Sequence, residues 1–147
     1  MKAIVAGFDG YGKSIVDSML EKDKGFDIKF LDSDESHIGE SFAGIEVSGT
    51  IDDMQNYYDK GYHSICIANE RDLRWRKQVA EKAQQIGYKF FAVVDKSAQI
   101  GYDAVLGDGC YVAKGVVVDP AVTIGENVII NAGATIQSES KSVILFI

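Results

Sequence analysis

The chain has 147 residues, 46% of them hydrophobic, which suffices for one ordinary domain or two small ones with a buried core. Its 15 basic and 22 acidic side chains leave a net charge of −7, which argues against a surface made to meet the phosphates of nucleic acid or an anionic membrane. No run approaches the roughly 20 apolar residues of a membrane span, and the glycine-broken start "MKAIVAGFDG" reads as a first strand, not a secretory signal.

In chain order, "AIVAGF" is a short apolar strand that ends in glycines, and "SIVDSMLEK" sets Ile15, Val16, Met19 and Leu20 on one helical face. "DIKFLD" is a second strand and "GIEVSG" a brief third. In "TIDDMQNYYDKG", Thr50 is a candidate N-cap before an acidic first turn and Gly61 the stop signal. "HSICIAN" is a buried strand, Asp72 to Ile86 a long helix ended by Gly87, and "YKFFAVV" a last strand. Strands separated by helices of this length pair in parallel through right-handed crossovers, which predicts a small doubly wound α/β sheet over residues 1–93.

Several side chains in this half read as structural. Arg71, Arg74, Arg76 and Lys77 form the solvated face of a helix, with an anion site as the alternative. Cys66 and Cys110 fall in apolar strand-like runs and read as small buried hydrophobes of a reducing cytoplasm. His37 and His63 stand apart from any cluster at ligand spacing and read as surface or loop residues, so no metal site is expected.

From Val94 the period changes. An aliphatic residue recurs every sixth position, at Val94, Ile100, Leu106, Val112, Val118, Ile124, Ile130 and Ile136. Four residues after each stands something small, at Ala98, Ala104, Cys110, Val116, Val122, Val128, Ala134 and Ser140. Gly101, Gly107, Asp119, Gly125 and Asn131 directly follow aliphatic positions, where glycine or asparagine would tolerate a left-handed turn. Neither a strand period nor a helix period produces this pattern. Six-residue repeats build β-solenoids, in which three short strands close one triangular coil around stacked aliphatic side chains. The register lapses after Ile136, because the next aliphatic position is Ser142, and the chain ends in "VILFI". That tail is open to reading as a plug, a self-association patch, or a truncated or shifted form of a longer gene.

The hexads, the "GFDGYGK" loop, the "FLDSD" strand end and the "VVDKSAQIG" join together resemble the hexapeptide-repeat sugar acetyltransferases of the bacillosamine and sialic-acid type. The resemblance implies a Rossmann-like domain over 1–93 and an incomplete left-handed parallel β-helix over 94–147. It implies a UDP-sugar-like ligand, acetyl-CoA as co-substrate and a homotrimer. It carries Gly7, Gly10, Gly12, Lys13, Asp32 and Asn69 to the nucleotide-sugar site, and Asn131 to a remnant of the acyl site. In that family a histidine takes the proton from the acceptor. Ser138 stands at its position with Glu139 as the acidic neighbour, and a serine hydroxyl accepts no proton near neutral pH. Loss of a positioned base typically costs about 10²–10⁴ in rate. Asp9 departs from the family's loop and places a carboxylate where a diphosphate would approach. It also stands where a dinucleotide fingerprint needs glycine, which argues against NAD. Two functions follow as expectations. One is a cytoplasmic enzyme transferring acetyl from acetyl-CoA to an amino or hydroxyl group of a nucleotide sugar, inactive where Ser138 replaces the base. The other is a non-catalytic nucleotide-sugar-binding or trimer-forming module.

Overall fold

The computed structural model describes residues 1–69 and 71–138. The first part is a six-stranded sheet whose strands come from β1 (Lys2–Ala6), β2 (Asp27–Asp32), β3 (Ser41–Phe42), β4 (Ile45–Thr50), β5 (Ser64–Ile67) and β6 (Lys89–Phe90). Their order is β3-β4-β2-β1-β5-β6, all parallel except the β3–β4 hairpin. Three α-helices connect them: α1 (Gly10–Lys22), α2 (Met54–Asp59) and α3 (Leu73–Ile86).

The strands are apolar on both faces because both faces are covered. Ala3, Val5, Ile28, Phe30 and Cys66 bury against Ile15, Val16 and Met19 of α1 in a core that runs on into the coils described below. Ile4, Ala6, Leu31, Ile65 and Ile67 face the other way and share a core with Met54 of α2 and with Val79 and Ala83 of α3. Gly87 ends α3 at φ 113° as expected, and Asp72, read as the first helical residue, is its N-cap. Asp9 caps α1, which starts at Gly10, four residues ahead of the helical signal in the sequence. Thr50 and Asp53 form a capping box on a short 3-10 turn ahead of α2.

Three features differ from expectation. The hairpin strand β3 has no clear sequence signal, because its turn is Ala43-Gly44, both at positive φ, instead of Asn-Gly. "YKFFAVV" is two strands: β6 closes the sheet, and β7 (Val93–Val94) begins the coils. Arg76 does not lie on a solvated face. Its guanidinium is buried and donates to the carbonyls of Ile67 and Ala68, at 3.2 and 3.1 Å, which ties α3 to the end of β5.

The second part is a three-sided stack of two-residue parallel strands. Its faces are β7 with β10 (Tyr111–Val112) and β13 (Ile129–Ile130); β8 (Gln99–Ile100) with β11 (Val117–Val118) and β14 (Thr135–Ile136); and β9 (Val105–Leu106) with β12 (Thr123–Ile124). Every pairing joins residues eighteen apart, as Val94 with Val112 and Val112 with Ile130. Three hexads therefore make one coil. Val112, Val118, Ile124 and Ile130 point inward with Cys110, Val116, Val122 and Val128, and all eight are buried. Val94, Leu106 and Ile136 toward the two ends are half-buried, and Ile100 is exposed at 38%, because it belongs to the first coil, which has no coil stacked before it on that face.

The left-handed turn residues are not those expected. Positive φ falls at Asp103, Gly109, Gly115, Ala121, Asn127 and Gly133, again six apart, and so three residues after each aliphatic position from Ile100 to Ile130. Gly101 and Gly107 are small for a different reason: a Cβ on either would run into the backbone of the coil above, at Pro120 and Gly125. Both cysteines are free and buried, and burial pushes the Cys66 thiol up to about 12.

One outer face of the stack is also buried. Val93, Tyr111 and Ile129 are shielded there, whereas Gln99, Val105 and Thr123 on the other faces are exposed. The Tyr111 hydroxyl meets α1, donating to Ser14 O at 3.0 Å and lying 3.0 Å from Ser18 Oγ. Beside it Asp95, 1% exposed, accepts from Ser18 Oγ at 2.6 Å and Lys114 Nζ at 3.0 Å, and from the backbone and hydroxyl of Ser97. Lys114 also pairs with Asp17 and Glu21 of α1. Burial alone would raise the Asp95 carboxyl, but these donors outweigh it and hold it well below the usual carboxylate range.

Candidate functional site

The connection after β1 passes to one side of the sheet's starting strand, and the later connections lead to β5 and β6 on the other. In an open parallel sheet, the crevice beyond the strands' carboxyl ends at such a reversal is where ligands bind. A cleft lies there, lined by Phe8, Asp9, Gly10 and Tyr11 after β1, by Asp32, Ser33 and His37 after β2, and by Asn69 and Arg71 after β5.

The loop after β1 is held tightly. Gly7 adopts φ 110° and its N–H donates to Leu31 O at 2.8 Å. A Cβ on Gly12 would collide with Gly7 O, so glycine is required for the first turn of α1 to cross the loop. Around Gly10 a Cβ would meet nothing within 4 Å, so the cleft is open beside it. Asp9 Oδ1 accepts from Gly12 N at 2.8 Å, and Lys13 places its ammonium 4.6 Å from the centre of the Phe8 ring.

Asp32 is the hub on the opposite side. Its Oδ1 accepts from Phe8 N at 2.9 Å, and its Oδ2 accepts from Asp34 N at 3.2 Å and meets His37 Nδ1 at 2.7 Å. The carboxylate hydrogen bond raises the pKa of His37 above the ordinary histidine value, which favours imidazolium. His37 also lies edge-on to Phe8, with centroids 6.0 Å apart. Asn69 sits at φ 59°, a conformation asparagine tolerates, directly after the two carbonyls that Arg76 holds.

Of the residues singled out from sequence, Gly7, Gly10, Gly12, Lys13, Asp32 and Asn69 all come to this end of the sheet, where Gly10, Asp32 and Asn69 line the cleft. Asn131 and Ser138 are elsewhere, exposed on the last described coil, where Ser138 N–H donates to Asp119 Oδ2 at 3.1 Å. Glu139 lies outside the described residues, as do Ser140, Ser142 and the "VILFI" tail. His37 is a correction. It is a partner of Asp32 in the cleft, not a bland loop residue, because the turn capped by Asp34 folds it back over the end of β2. The run "DSDESH" carries that signal: Asp34 accepts from Ser36 N at 2.9 Å, and hydrogen bonds from Ser36 lower its pKa. Arg71 lines the cleft as well, in keeping with the anion-site alternative for its cluster.

Residues 103–138 match the bacterial transferase hexapeptide family, six repeats. The coil region is a hexapeptide-repeat stack. No curated protein matches the chain in sequence. Among solved structures, the chain is similar to a histidine-to-asparagine mutant of perosamine N-acetyltransferase from Caulobacter crescentus, solved with CoA and GDP-perosamine. The TM-score is 0.81 at 23% identity, over 92% of this chain and 62% of that one. It is similar to the acetyltransferase domain of PglB from Neisseria gonorrhoeae FA1090, with TM-score 0.80 and 28% identity over 92% and 64% of the two chains. WeeI from Acinetobacter baumannii AYE superposes with TM-score 0.74 at 17% identity, over 92% and 63%. The whole chain is therefore built like the hexapeptide-repeat sugar acetyltransferases, a Rossmann-like sheet followed by a parallel β-helix, and spans 62% of the perosamine enzyme's length.

Among the described residues no helix is long and apolar enough to cross a membrane, and no group of three or more His, Cys, Asp or Glu has metal-holding geometry.

Proposed function

We propose that this chain serves acetyl transfer from acetyl-CoA to an amino or hydroxyl group of a nucleotide sugar, and that its own contribution is the sugar-nucleotide site. Residues 1–93 act as the ligand-holding domain, with a UDP-sugar-like molecule in the cleft, and residues 94–147 act as the hexapeptide domain through which copies assemble, as a trimer. The reaction belongs to the cytoplasm, where both co-substrates are made. One observation carries the reading: Gly10, Asp32 and Asn69, from loops after three different parallel strands, line one cleft at the strands' carboxyl ends. The relatives support it. The perosamine enzyme was solved with CoA and GDP-perosamine, and the gonococcal domain with acetyl coenzyme A.

Asp32 and Asn69 present acceptors and a donor suited to ribose hydroxyls and a base edge. Arg71 supplies positive charge at the rim. Ser138 does not act as the base; a proton leaving the acceptor needs another group.

A second reading, a non-catalytic nucleotide-sugar-binding or trimer-forming module, is favoured by Ser138, an exposed serine at the position to which the resemblance assigns the family's histidine. Calorimetry with acetyl-CoA and with UDP- and GDP-sugars separates the two. An acetyl-transfer protein binds both ligand classes, a binding module only the sugar nucleotides, and an assembly scaffold neither. Absence of sugar-nucleotide binding contradicts the assignment of the cleft.

A further inference from the structure

The cleft contains a negative charge where a nucleotide would bring its own. Two backbone N–H groups of the loop after β1 and the first turn of α1 are already taken by carboxylates: Gly12 N by Asp9 Oδ1 at 2.8 Å and Phe8 N by Asp32 Oδ1 at 2.9 Å. A phosphate gains affinity at a helix start from free N–H groups and the positive end of the helix dipole. Here Asp9 occupies one of those N–H groups, that of Gly12, and opposes the dipole. The Lys13 ammonium is directed to the Phe8 ring, 4.6 Å from its centre, and Arg71 and His37 line the cleft from the other loops, so the unfavourable charge is local to Asp9. Beside Asp9 the space around Gly10 is open, with room for a small neutral group.

We propose that Asp9 is a resident anion that sets the ligand class of the cleft: it fills the position a phosphate would take, so the cleft selects the neutral, hydroxyl-bearing nucleoside or sugar part of its ligand, and phosphates add no affinity there. The proposal rests on the reading that this cleft holds a sugar nucleotide. Asp9 offers an acceptor to hydroxyl donors, and its carboxylate repels a phosphate placed beside it. A specificity made this way rejects a competitor through repulsion as much as it attracts the chosen ligand.

The test is the affinity increment that phosphates contribute, measured by calorimetry on the full chain with uridine against UDP and guanosine against GDP. Asn and Ser cap helices about as well as Asp, so Asp9→Asn and Asp9→Ser keep an acceptor for Gly12 N and should melt like the unaltered protein. For the unaltered protein the nucleoside and its diphosphate should bind with a ratio near one. In Asp9→Asn the diphosphate should bind about tenfold or more tightly than the nucleoside, a gain that shrinks as salt is raised. Tight diphosphate binding by the unaltered protein, unchanged or weakened in both variants, overturns the proposal while leaving the cleft's assignment intact. If none of the four ligands binds either protein, the assignment and the proposal fall together.

Discussion

The sheet region and the coil region bury their apolar residues by opposite means. In the sheet each buried side chain has its own surroundings: Phe30 packs edge-on to Phe8, and Met54 of α2 shares a core with Ile4 and Leu31. In the coils the surroundings repeat, so Val112 and Ile130 lie in successive copies of one position. A repeated position must be right every time, because each rung is the floor of the next. A sheet position can be adjusted singly, which leaves its loops free to carry the cleft. The contrast teaches where change is tolerated and where function is written.

The largest effect should come from breaking the repeat. Val118→Asp or Ile124→Asp puts a carboxylate into a stack where both side chains are at most 2% exposed. An unpaired buried charge of this kind costs on the order of 4 kcal/mol or more. The melting temperature should fall by roughly 10 °C, with loss of protease resistance first in the coils. Wild-type melting of both variants contradicts the inward register.

Next is Gly12→Ala, which forces a Cβ against Gly7 O and should destabilise by about 1–3 kcal/mol. Gly10→Ala, two residues earlier and free of neighbours, should change stability little by chemical denaturation. Equal effects from the two would remove the argument for a tight crossing at the loop.

Asp95→Asn tests the joint between the regions and should cost about 1–3 kcal/mol, because Ser18, Ser97 and Lys114 lose their shared charged acceptor. The folded carboxyl titrates below its unfolded counterpart. Its contribution is therefore complete above the ordinary carboxylate range, about pH 4, and is lost as pH falls toward the folded value. Denaturation followed from pH 7 downward should show an acid-dependent loss that Asp95→Asn lessens.

The smallest effect is His37→Gln, which should change stability little because the side chain is exposed. The raised pKa of His37 gives the opposite pH dependence: its contribution is present below the unfolded value near 6.5 and fades as pH rises through the folded one. NMR titration of the ring should give a pKa above the ordinary histidine value, lowered by Asp32→Asn.

How much of this is legible in the sequence depends on whether the cause is local or periodic. Eight aliphatic positions in one register define the coils, because a six-residue period has a single structural meaning. Asp72, Thr50 and Gly87 mark helix ends because capping is local chemistry. The turn residues are not legible, because glycine serves two purposes here: the left-handed bend at Gly109 and Gly115 and the close stacking at Gly101 and Gly107. Sequence alone does not separate them. His37 has only the turn signal of "DSDESH" and no ligand-motif spacing, because a 3-10 turn makes Asp32 its neighbour. Arg76 reads as solvated because it stands among Arg74 and Lys77, yet the end of β5 needs a donor and α3 delivers it there.

The central claim is that the cleft formed by the loops after β1, β2 and β5 holds the nucleoside part of a sugar nucleotide. Backbone amide NMR during titration with uridine and guanosine tests it directly. The account predicts shifts in Phe8, Gly10, Ser33 and Asn69 with the rungs from Gln99 to Ile136 unmoved; shifts confined to the rungs, or none at saturating ligand, would contradict it.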